Sequence, residues 1–132
     1  MLEGRDWTGL ARASPGEIAA LRAVAPIPLP AAYVALLELS NGGEGALPTR
    51  PGYFCLYPAS ETAQIARDGD FHAHFPGLFV IGGNGGGEAI AIDAEDPGHR
   101  IVYFDMTNIN PMESVASLAA NFEAFVDLIG LE

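Results

Sequence analysis

Lysine is missing from this sequence, and its only fixed positive charges are six arginines against 17 aspartates and glutamates. The resulting net charge of −11 argues against nucleic acids and anionic membranes as partners, because proteins bind both through Lys and Arg side chains. An acidic surface favours a basic partner, and it also keeps a protein in solution. Charge alone does not separate these two roles.

Cysteine is almost as scarce. Cys55 stands alone in 132 residues, so no disulfide can form within the chain, as is typical of a reducing compartment. The segment Met1 to Asp6 carries acids where a secretory signal would be basic, and no apolar run reaches the roughly 18–20 residues that span a bilayer. We therefore expect a cytoplasmic protein that folds as a single domain over residues 1–132.

Helix signals occur near both ends of the chain and once in its middle. Ser14 and Glu17 form a capping box ahead of an apolar helical repeat, which Pro26 ends. Pro30 opens a second helix, and the Asn-Gly-Gly sequence at 41–43 stops it. The predicted helices are 15–25, 31–39, 60–68 and a C-terminal helix that starts at Asn121 or, alternatively, at Ser114.

Short apolar runs between these helices predict β-strands at 53–57, 78–81, 89–92 and 101–104. The glycine run Gly82–Gly87 and the sequence Asp96-Pro97-Gly98 separate the last three strands, which predicts an antiparallel meander. Both faces of these strands are apolar or small, so we expect helices on one face and other parts of the chain on the opposite face. The predicted fold class is α+β, a twisted and mainly antiparallel sheet with helices packed around it.

Two of the turns resemble ligand-binding loops but do not match their patterns. The run Gly82–Gly87 leads into a strand, whereas a phosphate-binding loop leads into a helix, and no Gly-Lys-Ser/Thr sequence is present. The turn that starts at Asp93 places Pro97 and Phe104 at the fifth and twelfth positions, where a calcium loop needs oxygen ligands. We interpret both as turns between strands and predict no cofactor.

His72 and His74 could place two imidazoles on one side of a strand, but no third metal ligand is firmly placed. Phe71 and Phe75 flank them, so a partly buried aromatic cluster is at least as good an interpretation. Cys55 lies among large apolar residues with no neighbouring cation to lower its thiol pKa, which favours a buried structural thiol. We therefore predict no catalytic residue, no metal site and no enzymatic activity.

Three stretches together carry a family resemblance: residues 28–37 running into Ser40-Asn41-Gly42-Gly43-Glu44-Gly45, the run 79–93 around the glycines, and the closing Asn121-Phe122-Glu123-Ala124-Phe125. In this order and spacing the chain resembles the SMI1/KNR4 family, also called the SUKH superfamily. The resemblance implies an α+β fold with helices around a twisted sheet, and protein binding without catalytic residues. Many bacterial members are immunity proteins that neutralise partner toxins, often nucleases, and fungal relatives are regulatory scaffolds.

The sequence departs from the family pattern in two places. Asn84 stands where Asp is common in the glycine turn, and the segment 46–52 carries two prolines where relatives tend to continue as a strand. Neither difference is expected to disturb the fold, but both could reshape a binding rim.

The leading hypothesis is an immunity protein whose acidic surface binds a basic toxin, for example a nuclease. One alternative is an intracellular regulatory module unrelated to toxins, and another is a small enzyme or metal protein built on His72, His74 and Cys55. The expected contact residues are acids at the predicted turns, although each taken singly is better explained as a solvated carboxylate: Glu44, Glu88, Asp93, Glu95 and Asp96.

Overall fold

The computed structural model describes residues 2–69, 75, 77–107 and 114–131. Within these ranges the elements are, in chain order, β1 (Trp7–Gly9), α1 (Pro15–Val24), α2 (Ala31–Leu39), β2 (Gly43–Ala46), β3 (Tyr53–Leu56), α3 (Ala59–Asp68), β4 (Leu78–Gly83), β5 (Glu88–Asp93), β6 (Ile101–Asp105), β7 (Ala116–Ala119) and α4 (Phe122–Val126). No helix in the same ranges is long and apolar enough to cross a bilayer.

The strands form one sheet of seven, in the order β1 to β7, and each strand runs antiparallel to the next. The predicted meander is confirmed as β4, β5 and β6. β5 and β6 pair from Glu88 opposite Asp105 to Ile92 opposite Ile101. Together with the helices, this open antiparallel sheet confirms the α+β fold class.

Three strands were not predicted. β1 has only three residues and β2 reads Gly-Glu-Gly-Ala, so neither carries the β-branched or aromatic run that indicates a strand. Glycine allows the two strands to approach closely, because a Cβ at Gly43 would lie 2.7 Å from the carbonyl oxygen of Thr8. The alternative helix start at Ser114 is wrong, since Ala116–Ala119 forms β7 against β6.

The predicted helix starts at Ser14 and Asn121 are confirmed by their capping bonds. The Ser14 hydroxyl accepts a hydrogen bond from the Glu17 amide at 3.2 Å, and the Glu17 carboxylate accepts one from the Ser14 amide at 2.9 Å. Asn121 Oδ1 accepts a hydrogen bond from the Ala124 amide at 2.8 Å. Caps of this kind each contribute about 1 kcal/mol to stability.

The four described helices bury apolar side chains in one core on one face of the sheet, which we call the helix-side core; Ile65 of α3 packs instead against residues of the opposite face. α1 packs against α3, and α2 packs against α4. The strands supply alternate residues to this core, as a pleated sheet requires. Its largest fully buried side chains are Tyr33, Phe54, Phe79, Phe122, Phe125, Leu21, Leu36, Leu37, Ile81, Ile90 and Ile92.

The opposite face of β4, β5 and β6 is covered by a smaller second cluster, so the expectation of two apolar faces is confirmed. In this second cluster the ring of Phe75 packs on that of Phe104, with their centroids 4.2 Å apart. The cluster consists of Phe75, Leu78, Val80, Ala89, Ala91, Val102 and Phe104. The same face of β1, β2 and β3 lies beyond it.

Gly82 is a position in the glycine run where a side chain has no room. It lies opposite Leu56 in the β3–β4 pairing, and a Cβ there would overlap the carbonyl oxygen of Cys55 and come within 2.9 Å of the Phe54 ring. We expect Gly82→Ala to lower the free energy of unfolding by about 2–3 kcal/mol, because the strands would have to separate. Urea denaturation followed by circular dichroism measures this change.

Gly87→Ala is the matched control, since a Cβ at Gly87 meets no atom within 4 Å. The control is expected to change the free energy of unfolding by less than about 0.5 kcal/mol. Equal losses for the two variants would contradict the close packing inferred at Gly82.

Candidate partner-binding face

One face of the sheet remains open where β1, β2 and β3 pair. Thr8 lies opposite Glu44, and Glu44 lies opposite Cys55, so these three side chains share a face of the sheet. The side chains next to them along each strand point to the opposite face, where Trp7 and Phe54 pack towards the helix-side core. We call the outward surface the open sheet face and define it by six residues: Asp6, Thr8, Glu44, Tyr53, Cys55 and Tyr57.

The residues of this face are accessible and firmly positioned. Asp6, Thr8 and Glu44 are exposed, whereas Tyr53 and Tyr57 are half-buried, and Tyr57 packs against the second cluster. The backbone of paired strands is held by the ladder of hydrogen bonds, so little backbone conformational entropy is lost when a partner binds. The open sheet face is therefore a pre-organised surface and not a flexible loop.

The tyrosines of the open sheet face remain protonated and can donate hydrogen bonds. Desolvation and the nearby carboxylate of Glu44 raise the pKa of the Tyr53 hydroxyl. Desolvation and the carboxylate of Glu61 do the same for the pKa of Tyr57. Carboxylates beside aromatic rings suit a cationic side chain, because they offer charge-assisted hydrogen bonds together with cation–π contact.

Asn84 connects Glu88 to the glycine turn through hydrogen bonds. Asn84 Oδ1 accepts hydrogen bonds from the amides of Gly86 at 2.9 Å and Glu88 at 3.2 Å. Asn84 Nδ2 donates to the Glu88 carboxylate at 3.2 Å. An aspartate at this position would keep the two acceptor bonds but could not donate to Glu88. The departure from the family pattern at Asn84 thus has a local structural role.

In the acidic turn between β5 and β6, the carboxylates of Asp93 and Asp96 also bond to other residues of the turn. Asp93 forms an ion pair with Arg100 at 3.0 Å and accepts a hydrogen bond from the Glu95 amide at 3.1 Å. Asp96 accepts hydrogen bonds from the amides of Gly98 at 3.1 Å and Arg100 at 3.0 Å. These bonds stabilise the turn in the manner typical of Asp in tight turns.

The five acids predicted to bind a partner therefore lie in three separate places. Glu88 begins β5 and Asp93 ends it, so they are roughly 17 Å apart along the strand. Glu88 also points to the side of the sheet opposite the second cluster, where it lines a cleft of about 520 Å³ with Arg50 and Tyr103. Of the five, only Glu44 belongs to the open sheet face, and a binding role for all of them remains a prediction.

The sequence reasoning did not single out Asp6, Tyr53 or Tyr57. Tyrosines at 53 and 57 flank Cys55 at a spacing of two, and this alternation places the three side chains on one face of a strand. The signal was therefore present in the sequence. The sequence did not indicate that the described helices leave this face exposed.

The structure offers no metal centre within the described ranges, where no group of three His, Cys, Asp or Glu side chains is placed to hold an ion. His72 and His74 lie outside the described residues. Cys55 Sγ lies 3.8 Å from a Glu44 carboxylate oxygen. Desolvation and this carboxylate raise the pKa of the Cys55 thiol, so it stays neutral and is a poor nucleophile at neutral pH.

Thiol reactivity tests this account of Cys55. We expect the native protein at pH 7.5 to react with a disulfide reagent more slowly than the unfolded chain, because the raised pKa reduces the thiolate fraction. Glu44→Gln is expected to speed the reaction several-fold by removing the nearby negative charge. The absorbance of the released thiolate reports both rates, and a native thiol faster than the unfolded one would contradict the account.

The Asn84–Glu88 contact can be tested by a double-mutant cycle. We expect Asn84→Asp to lower the free energy of unfolding by about 1 kcal/mol, because one hydrogen bond is lost and two carboxylates face each other. Adding Glu88→Gln is expected to recover most of the loss, since the amide can donate to the new carboxylate. Chemical denaturation gives the four free energies, and purely additive effects would count against a direct contact.

Comparison with known proteins places this geometry in a family. No curated protein matches the chain as a named relative. The SMI1 / KNR4 family (SUKH-1) model matches residues 12–128, which include the four helices and strands β2 to β7. A match over nearly the whole length is consistent with the open antiparallel sheet and its helices. The chain therefore belongs to the SMI1/KNR4 family.

Proposed function

We propose that this domain is an immunity protein that binds a basic toxin on its open sheet face and neutralises it. Membership of the SMI1/KNR4 family implies protein–protein interaction as the general function. The observation that carries the finer proposal is the exposed Glu44, which lies beside two half-buried tyrosines on a face that the helices leave uncovered. Such a surface fits the arginine and lysine side chains of a cationic protein.

The overall charge supports the same kind of partner. A net charge of −11 attracts a cationic protein over long range and speeds the encounter. Nucleases bind their substrates through basic grooves, so an acidic protein surface competes directly with nucleic acid. A nuclease toxin is therefore the partner whose inhibition this surface explains most simply, and the cytoplasm is the compartment where protection would be needed.

The mechanism requires no chemistry from the domain. Neutralisation follows if the bound domain blocks the toxin's substrate groove, and its potency then depends on affinity alone. Rigid strand residues favour this, because a pre-formed surface loses little entropy on binding. The competing function is a regulatory module unrelated to toxins, which would use the same face on a different partner.

A charge reversal at the open sheet face tests the proposal. We expect Glu44→Arg to weaken binding to the toxin encoded next to this gene by about tenfold or more, because it replaces an attraction with a repulsion. Calorimetry measures the affinity, and survival of cells that express the toxin measures protection. Affinity should also fall as salt is raised, since screening weakens exposed charges.

Glu123→Arg is the matched control, because Glu123 is also exposed but lies on α4 on the helix side. The control should bind and protect like the unmodified protein. If both variants weakened toxin binding equally, the effect would come from the net charge of the protein and not from the position of Glu44. Failure to bind any neighbouring toxin would overturn the immunity role and favour the regulatory module.

A further inference from the structure

Strand β1 forms an edge of the sheet, and its three residues include no lysine, no proline and no bulge, so its short length is the protection that it carries. It pairs with β2 on one side and is the first strand in the sheet order. Proteins commonly guard such edges with lysine, proline or a bulge. The β1 sequence is Trp-Thr-Gly, and its pairing with β2 runs without a register shift.

Hydrogen bonds next to β1 show which backbone groups point outward. The Asp6 amide donates to the Gly130 carbonyl at 3.0 Å, and the Gly130 amide donates to the Ala46 carbonyl at 2.7 Å. The backbone N–H and C=O groups of Asp6 therefore point towards β2. The N–H and C=O groups of successive residues in a strand point to opposite sides, so those of Thr8 also point towards β2. The N–H and C=O groups of Trp7 and Gly9 consequently point away from the sheet, where the described residues provide no strand to receive them.

An apolar groove follows this edge on the helix side. It has a volume of about 240 Å³ and is lined by Leu2, Glu3, Trp7, Gly9, Leu39 and Ser40. Leu39 is 49% exposed, and Leu10 just beyond β1 is 58% exposed. Within the described part of the chain, the buried indole Nε1 of Trp7 has no hydrogen-bond acceptor. The groove thus offers apolar contact, and the indole Nε1 lies buried beneath it.

The opposite side of the same edge is acidic. Asp6 and Thr8 project onto the open sheet face, next to Glu44 on β2. An added strand would alternate its own side chains between the two sides. Its side chains above the groove would be apolar, and those above the open sheet face would be basic.

We propose that β1 is a docking edge for an extended segment of a basic protein partner, which adds an eighth strand to the sheet with alternating apolar and basic side chains. Main-chain hydrogen bonds to Trp7 and Gly9 would supply affinity, and the two sides of the strand would supply specificity. This inference rests on the proposed function for the charge of the partner, and it adds how the partner is held. A second copy of the chain is disfavoured, because both copies carry a net charge of −11.

A synthetic peptide of eight residues that alternates Arg and Val is a suitable probe. We expect it to slow hydrogen exchange of the Trp7 and Gly9 amides about tenfold or more at saturation, as new ladder bonds form. The Thr8 amide already faces β2 and should change less. Two-dimensional NMR follows these amides and the Trp7 indole signal in one titration.

Two control peptides separate strand pairing from simple charge attraction. A version with N-methylated backbone amides keeps the charge, but its methyl groups replace the donors to the Trp7 and Gly9 carbonyls and clash with the neighbouring strand. It should therefore not pair with β1 or protect the Trp7 and Gly9 amides. A version that alternates Glu and Val keeps the donors but should not bind. Equal protection by the N-methylated peptide would overturn the proposal.

Leu39→Lys tests the groove, and Ala20→Lys on α1 is its charge-matched control at another exposed position. We expect only Leu39→Lys to weaken peptide binding, by about tenfold, because it removes apolar contact and adds repulsion. Circular dichroism checks that both variants fold. Equal affinities for the two variants would count against the groove.

The outcomes also distinguish this proposal from the function on which it rests. Peptide-induced shifts at Glu44 and Tyr53 without protection of the Trp7 and Gly9 amides would overturn strand pairing at β1 and leave the open sheet face as the binding surface. No binding at millimolar peptide, or self-association of the protein in sedimentation, would also overturn docking at β1. Toxin binding that is lost with Glu44→Arg and unchanged with Leu39→Lys would do the same while preserving the proposed function.

Discussion

The arrangement of this domain depends on the packing of all four helices against one face of a seven-stranded sheet. Burial of the large apolar side chains on that face supplies the main driving force for folding. On the second face, the described residues cover β4, β5 and β6 through the cluster around Phe75 and Phe104. The open sheet face at β1 to β3 follows from this arrangement, because the described helices pack mainly into the helix-side core and α3 adds Ile65 to the second cluster.

Much of this fold could be predicted from the sequence, and the exceptions have physical causes. The capping box at Ser14 and the apolar runs of β4 to β6 are local signals, and both were read correctly. β2 could not be recognised because its residues have little strand preference of their own. They form a strand because β1 and β3 pair with them on either side. Gly43 and Gly45 leave the space that the Thr8 backbone and the Trp7 ring occupy.

The candidate site was predicted less well, because a sequence does not reveal which carboxylates are already engaged. Asp93 and Asp96 hold the β5–β6 turn, and Glu88 is bonded to Asn84. Glu17 completes a helix cap, and hydrogen bonds from Thr107 lower the pKa of Asp105. The acidic residues thus fall into two groups: those whose carboxylates stabilise the fold, and those whose carboxylates are exposed and available to a partner. The structure distinguishes the two groups, and the sequence does not.

The position of Glu44 shows how fold and charge combine. Its strand is short and rich in glycine, so small residues bring β1 and β3 close on either side. The same pleat that sends Trp7 and Phe54 into the core sends Glu44, Thr8 and Cys55 outward. Glu44 is therefore presented on a paired strand, next to a sheet edge whose outward backbone groups meet no strand among the described residues. Charge attraction and strand pairing would then act at adjoining places, so a partner that is both basic and extended would be favoured over one that is merely basic.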